Sequence, residues 1–73
     1  MSFADIIKLW PTRAALAGDI RVSPQAITNM LKRGSIPSQY WSAMVEGASE
    51  RGINGVTLNA LAKAAAQKMR AAA

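Results

Sequence analysis

Gln25, Thr28, Asn29 and Lys32 lie three and four residues apart within LAGDIRVSPQAITNMLKRG, the stretch from Leu16 to Gly34. At that spacing they share one face of a helix. Their side chains suit the reading of base edges. Gln and Asn amides can each bond bidentately to N6 and N7 of adenine, Lys donates to guanine, and Thr offers a hydroxyl and a methyl. A surface built only for charge would carry Lys or Arg there, whereas neutral amides suit discrimination. On the opposite face, Ala26, Ile27, Met30 and Leu31 form an apolar stripe that would hold the helix against a core.

The elements that must position this face are written on either side of it. Ser23 stands as an N-cap and Pro24 at the first helical position, where its missing N–H costs nothing. Gly34 ends the helix where a left-handed residue is commonly needed. A shorter helix, Arg13 to Ile20, precedes it, with Leu16, Ala17 and Ile20 on its inner side and Thr12 as its cap. Ala17 is small enough for the second helix to cross the first closely, and Val22 points inward from the turn. Two short helices joined by a tight turn, the second with a polar outward face, describe a helix-turn-helix. The turn position four residues after Ala17 is most often Gly and here is Arg21. A positive φ at Arg21 would cost about 1 kcal/mol. At the start of the first helix, exposed N–H groups beside Thr12 and Arg13 favour a phosphate, with solvated surface the alternative for Arg13.

The remaining segments read as supporting helices. Ser2 and Asp5 are spaced as a capping box before Phe3, Ile6, Ile7 and Trp10, an i, i+3, i+4, i+7 stripe stopped by Pro11. After Gly34, Ile36 tucks inward and Pro37 opens a fourth helix, with Trp41, Met44, Val45 and Ala48 buried and Tyr40 alongside. Glu46 and Glu50 face water, Gly47 allows close approach, and Arg51-Gly52 ends the helix. Trp41 on an apolar face is read as core and not as a platform for a base. Ile53-Asn54-Gly55 is a turn. Val56 and Thr57 then lead into a last helix, Leu58 to about Met69, with Leu58, Leu61, Ala62, Ala65 and Met69 on one face and a frayed alanine-rich tail beyond. Ala65 and Met69 either complete the core or pair with a second subunit. Nothing reads as a strand, so the expected class is all-α: one domain over residues 1–73, a compact bundle of five helices.

Composition narrows the function classes. The chain has 73 residues, no Cys and no His, which removes disulfides and the commonest metal ligands. No cofactor is implied. A net charge of +5 and a pI near 10.5 favour polyanionic partners over a merely solvated surface. No apolar run approaches the roughly 18–20 residues of a membrane span. Without a secretory start, a cytoplasmic, nucleoid-associated setting is the expectation. Catalysis would have to come from carboxylates, Lys, Ser or Tyr, and Asp5, Asp19, Glu46 and Glu50 each have a surface or capping role. An enzyme is not expected.

With those residues in view, LAGDIRVSPQAITNMLKRG resembles the DNA-binding domain of the phage Cro and repressor class. The run KRGSIPSQYW and the GVTL before the last helix widen the likeness to small Cro-like regulators of prophage and mobile elements. The resemblance implies a sequence-specific repressor or activator that binds an operator in double-stranded DNA as a dimer. Carried over position by position, it makes Gln25, Thr28 and Asn29 base-reading, with Lys32 at the far end of the stripe. Ser23 would reach a phosphate or a base edge, and Arg33 and Ser35 in the following loop would touch backbone. Pro24 stands where the family often has a polar residue, which removes one contact. The dimer interface stays open between the last helix, the fourth helix and pairing through DNA.

Two further readings use the same features. One is a regulator that also engages a protein partner, such as the antitoxin half of a toxin–antitoxin pair. The other is a basic helical module that binds protein or membrane without reading sequence, against which the neutral stripe Gln25, Thr28, Asn29 argues.

Overall fold

Among the described residues five α-helices follow one another, and each sends buried side chains into one shared core. The computed structural model describes the backbone of residues 2–72 and the side chains of residues 2–70. The helices are α1 (Phe3–Ile7), α2 (Arg13–Ile20), α3 (Pro24–Arg33), α4 (Trp41–Arg51) and α5 (Leu58–Ala72), with a short 3₁₀ turn, Ser38–Tyr40, leading into α4. No strand occurs among the described residues, so the protein is all-helical. Ile6, Leu16, Ile27, Met44 and Leu61 are the largest fully buried side chains, one from each helix in turn.

The caps follow from side-chain oxygens placed at the helix starts. Ser2 Oγ accepts from the Asp5 amide while Asp5 Oδ2 accepts from the Ser2 amide, closing a capping box around α1. The Ser2 amide, and then its hydroxyl, hold the Asp5 carboxyl below the usual carboxylate range. Thr12, Ser23 and Thr57 each accept the amide three residues on, at 3.0, 3.2 and 3.0 Å respectively.

Helix ends follow a similar logic. Gly34 and Gly52 take left-handed backbone at φ 64° and 73°. Arg21 does the same with φ 60° and ψ 46°, and it is the one non-glycine residue at positive φ among the described residues. Its amide and that of Val22 close onto the carbonyls of Gly18 and Ala17, the Schellman closure that a left-handed residue permits. Arg21→Gly is therefore expected to raise stability by about 0.5–1 kcal/mol, since glycine enters this region without a Cβ penalty. Urea unfolding would measure it. A loss of stability would show that the Arg21 side chain returns more than its backbone strain removes.

Three boundaries differ from the sequence expectation. Helix α1 stops at Ile7, so Trp10 lies outside it, yet Trp10 is still buried. Leu9 and Trp10 donate to Ile6 and Ile7, tightening the chain ahead of Pro11, which disfavours helical backbone at the residue before it. Pro37 precedes the Ser38–Tyr40 turn and does not sit within a helix. Ile36 nonetheless buries itself, its carbonyl accepting from the Trp41 indole at 3.0 Å.

Along α5 the buried seam is Leu61 and Ala64, with Ala60 and Ala65 half-buried. Leu58 and Met69 are 53% and 74% exposed, and Ala62 also faces outward, so the expected stripe is turned by about one position. Alanine on every side of the helix gives its periodicity little contrast, and Val56 already fills the entry to the core. The helix also continues to Ala72, past the expected end near Met69, as an alanine-rich segment favours.

Helix α2 packs most extensively on α3 and α4. Its placement against α4 is set by Asp19, whose Oδ2 accepts from the Trp10 indole at 2.8 Å and from Arg51 Nε at 2.7 Å. Oδ1 accepts from Arg51 Nη2 at 3.1 Å. Gly47 makes room for this carboxylate: a Cβ there would lie 2.7 Å from Asp19 Oδ2. Arg51, followed by Trp10, draws the Asp19 carboxyl below the usual range.

Candidate nucleic-acid interface

Helix α3 is held by its inner face and free on its outer one. Ile27 and Met30 are buried, Ala26 and Leu31 half-buried, while Gln25, Asn29, Lys32 and Arg33 are exposed. Pinned between the Ser23 cap and the left-handed Gly34, the helix presents these side chains on a fixed backbone. The chain carries no acidic residue between Ile20 and Val45, so nothing negative stands on α3 itself. The last two residues of α3, Lys32 and Arg33, are basic, and with Asn29 they line one shallow depression.

Two contacts tie the stripe together. Gln25 Nε2 donates to Asn29 Oδ1 at 3.3 Å, one helical turn apart. Arg13 Nη1, from the start of α2, donates to Thr28 Oγ1 at 3.2 Å. Thr28, half-buried, in turn donates its hydroxyl proton to the Pro24 carbonyl at 3.4 Å. Arg13 thus stands against the middle of α3, joining an expected backbone residue to an expected base-reading one.

The other expected contact residues fall into two groups. Thr12 and Ser23 are exposed, and each hydroxyl oxygen is engaged as a helix cap, which leaves its proton free to donate. Arg33 is exposed at the end of α3, and its carbonyl accepts from Lys68 Nζ, which brings the far half of α5 beside this terminus. Ser35 is half-buried and lines a different feature, an apolar groove formed with Phe3, Ile36, Trp41, Ala65, Lys68 and Met69. Phe3 and Trp41 meet there with ring centroids 6.3 Å apart.

Sequence reasoning did not anticipate the Gln25–Asn29 bond, although amides four apart on a helix are known partners. The Arg13–Thr28 and Lys68–Arg33 contacts join residues 15 and 35 positions apart, and no local pattern announces them. Among the described residues no group of His, Cys, Asp and Glu could hold a metal ion. Likewise, no helix there is long and apolar enough to cross a membrane. Compared with protein-family models, curated proteins and solved structures, the chain matches none.

Proposed function

We propose that this chain is a transcriptional regulator that reads double-stranded DNA, with α2 and α3 acting as a helix-turn-helix of the phage Cro and repressor type. One observation carries the reading. A stripe of neutral hydrogen-bonding side chains, exposed Gln25 and Asn29 with half-buried Thr28 between them, lies on a helix whose other face is locked into the core. Helix α3 enters the major groove, which is wide enough for a helix. Gln25, Thr28, Asn29 and Lys32 then meet base edges. Thr12, Arg13, Ser23 and Arg33 hold phosphates and set the register, a sequence-independent contribution that falls with salt, whereas Ser35, expected among them, lines the apolar groove beside α5. The role is that of a binding module, most simply a repressor occupying an operator, in the cytoplasm and on the nucleoid.

Salt tests the phosphate part of this reading. Binding to a mixed-sequence duplex should weaken linearly in log–log terms with salt, and Arg33→Ala should reduce that slope by about 1. An unchanged slope would remove Arg33 from the backbone contacts. Failure to bind duplex DNA at about 50 mM salt would overturn the reading.

A single module of this size buries little DNA, so the proposed complex contains two copies on half-sites about 34 Å apart. The surface that supports self-pairing is the far half of α5. Met69, 74% exposed, projects beside the apolar groove floored by Phe3, Ile36 and Trp41. A two-fold contact needs both a projection and a recess on one patch. Met69→Glu is expected to convert a two-protein complex on a symmetric duplex into a one-protein complex, as read by analytical ultracentrifugation. Persistence of two copies would move the interface elsewhere.

A further inference from the structure

Thr28 is gripped from two sides. Its hydroxyl oxygen accepts from Arg13 Nη1, at the first residue of α2, at 3.2 Å. Its proton goes to the Pro24 carbonyl, one turn back along α3, at 3.4 Å. A threonine in a helix divides between two χ1 rotamers, which send the hydroxyl and the methyl in different directions. The bond to Pro24 is long for a hydroxyl donor and holds the rotamer loosely. The guanidinium N–H is the firmer tie, because a charged donor makes the stronger bond. Oxygen and methyl grow from one carbon, so holding the oxygen towards α2 also fixes where the methyl points. Arg13 itself is exposed, and its guanidinium has further N–H groups for a phosphate while one is spent on Thr28.

We propose that Arg13 is a positioning residue for sequence reading: its bond to Thr28 fixes which part of that side chain meets a base, while its other N–H groups meet the DNA backbone. This role rests on the DNA-reading function proposed above. A phosphate contact alone sets register and carries no sequence information. Through Thr28 the same guanidinium acquires some, at a base pair it does not touch. Released from Arg13, Thr28 takes both rotamers and offers hydroxyl and methyl in turn, so the preference it imposes falls.

The test is selection of bound duplexes from a random library by the wild type, Thr28→Ala, Arg13→Ala and the double variant. The base pair whose preference relaxes in Thr28→Ala is the one Thr28 reads. Arg13→Ala should relax that same pair about five-fold, the low end of what one wrong base pair costs, on top of a uniform loss of affinity. In the double variant the pair should be no more relaxed than in Thr28→Ala, since Arg13 has nothing left to hold. Preference is a ratio between duplexes bound by one protein, so a smaller folded fraction leaves it unchanged. An equal loss on all duplexes in Arg13→Ala would make Arg13 a phosphate contact only, overturning the positioning role and leaving sequence reading intact. Further relaxation in the double variant, or relaxation at a different pair in Arg13→Ala, would mean that Arg13 meets a base itself and would overturn the role too. So would a Thr28→Ala variant with the wild-type preference at every pair. No enriched sequence for the wild type would overturn both the positioning role and the proposed function.

Discussion

Asp19→Ala is expected to lower the unfolding free energy by about 2–3 kcal/mol, a large share of the 5–10 kcal/mol of a small domain. Two contributions make up the loss, and they differ in weight. The pair with Arg51 is charge-assisted and forked, but the Arg51 side chain is 36% exposed, so solvent discounts it. The Trp10 indole is the larger part. Trp10 is only 5% exposed, and without Asp19 its N–H loses the acceptor it has in this part-buried site. Asp19→Asn should cost less, because an amide oxygen still accepts from Trp10. Equal losses for the two variants would show that the charge, not the indole, dominates.

Acid should act through the same group. The folded-state pKa of Asp19 lies below its ordinary value, so its contribution is complete above roughly pH 4 and fades as pH falls further, through the lower folded value. Asp5, held down by Ser2, adds to the same window. Urea unfolding at pH 7 and pH 3 should therefore show a smaller acid loss in Asp19→Ala than in the wild type, with a remainder from Asp5. Gly47→Ala should also destabilise, because its Cβ would press on the Asp19 carboxylate, outweighing the roughly 1 kcal/mol gained in helix propensity. Combined with Asp19→Ala it should cost less than the sum, since the nearest clashing atom is gone.

The second large effect concerns binding. Asn29→Ala is expected to cost about 1–3 kcal/mol on the preferred duplex and to relax preference at one or two base pairs. Asn29 is exposed, so the unfolding free energy should hardly move. That separation of affinity from stability distinguishes a reading residue from a structural one. The double variant with Gln25→Ala should lose less than the two single losses added, because the two amides are joined. Fluorescence anisotropy on preferred and scrambled duplexes would measure both. A uniform loss across all sequences would instead place Asn29 among the phosphate contacts.

Much of the fold was legible because its helix ends are chemically marked. Ser2, Thr12, Ser23 and Thr57 cap where their spacing implies, and Gly34 and Gly52 close where a left-handed residue is needed. The missing glycine at Arg21 even pointed to its positive φ. Gly47 marked a close approach without saying to what. The answer, Asp19, depends on Arg51 lying 32 residues away, a relation that only packing creates. Helix α5 misled because alanine gives no contrast between faces, so Leu58 and Met69 lie outside while Ala64 lies inside. At the candidate site the outward stripe was readable from spacing, whereas the contacts that constrain it were not. Arg13 reaches Thr28 across the turn between helices, and Gln25–Asn29 depends on how two amides orient.

On the proposed function, this surface reads sequence and does not merely attract polyanions. Selection of bound duplexes from a random library at about 150 mM salt, followed by a salt titration on the best one, tests it most directly. A two-fold symmetric enriched sequence, bound well above its scrambled version and losing preference in Asn29→Ala, is the predicted result. Weak binding without enrichment, vanishing as salt rises, would mean that the basic charge alone holds DNA and would contradict the account.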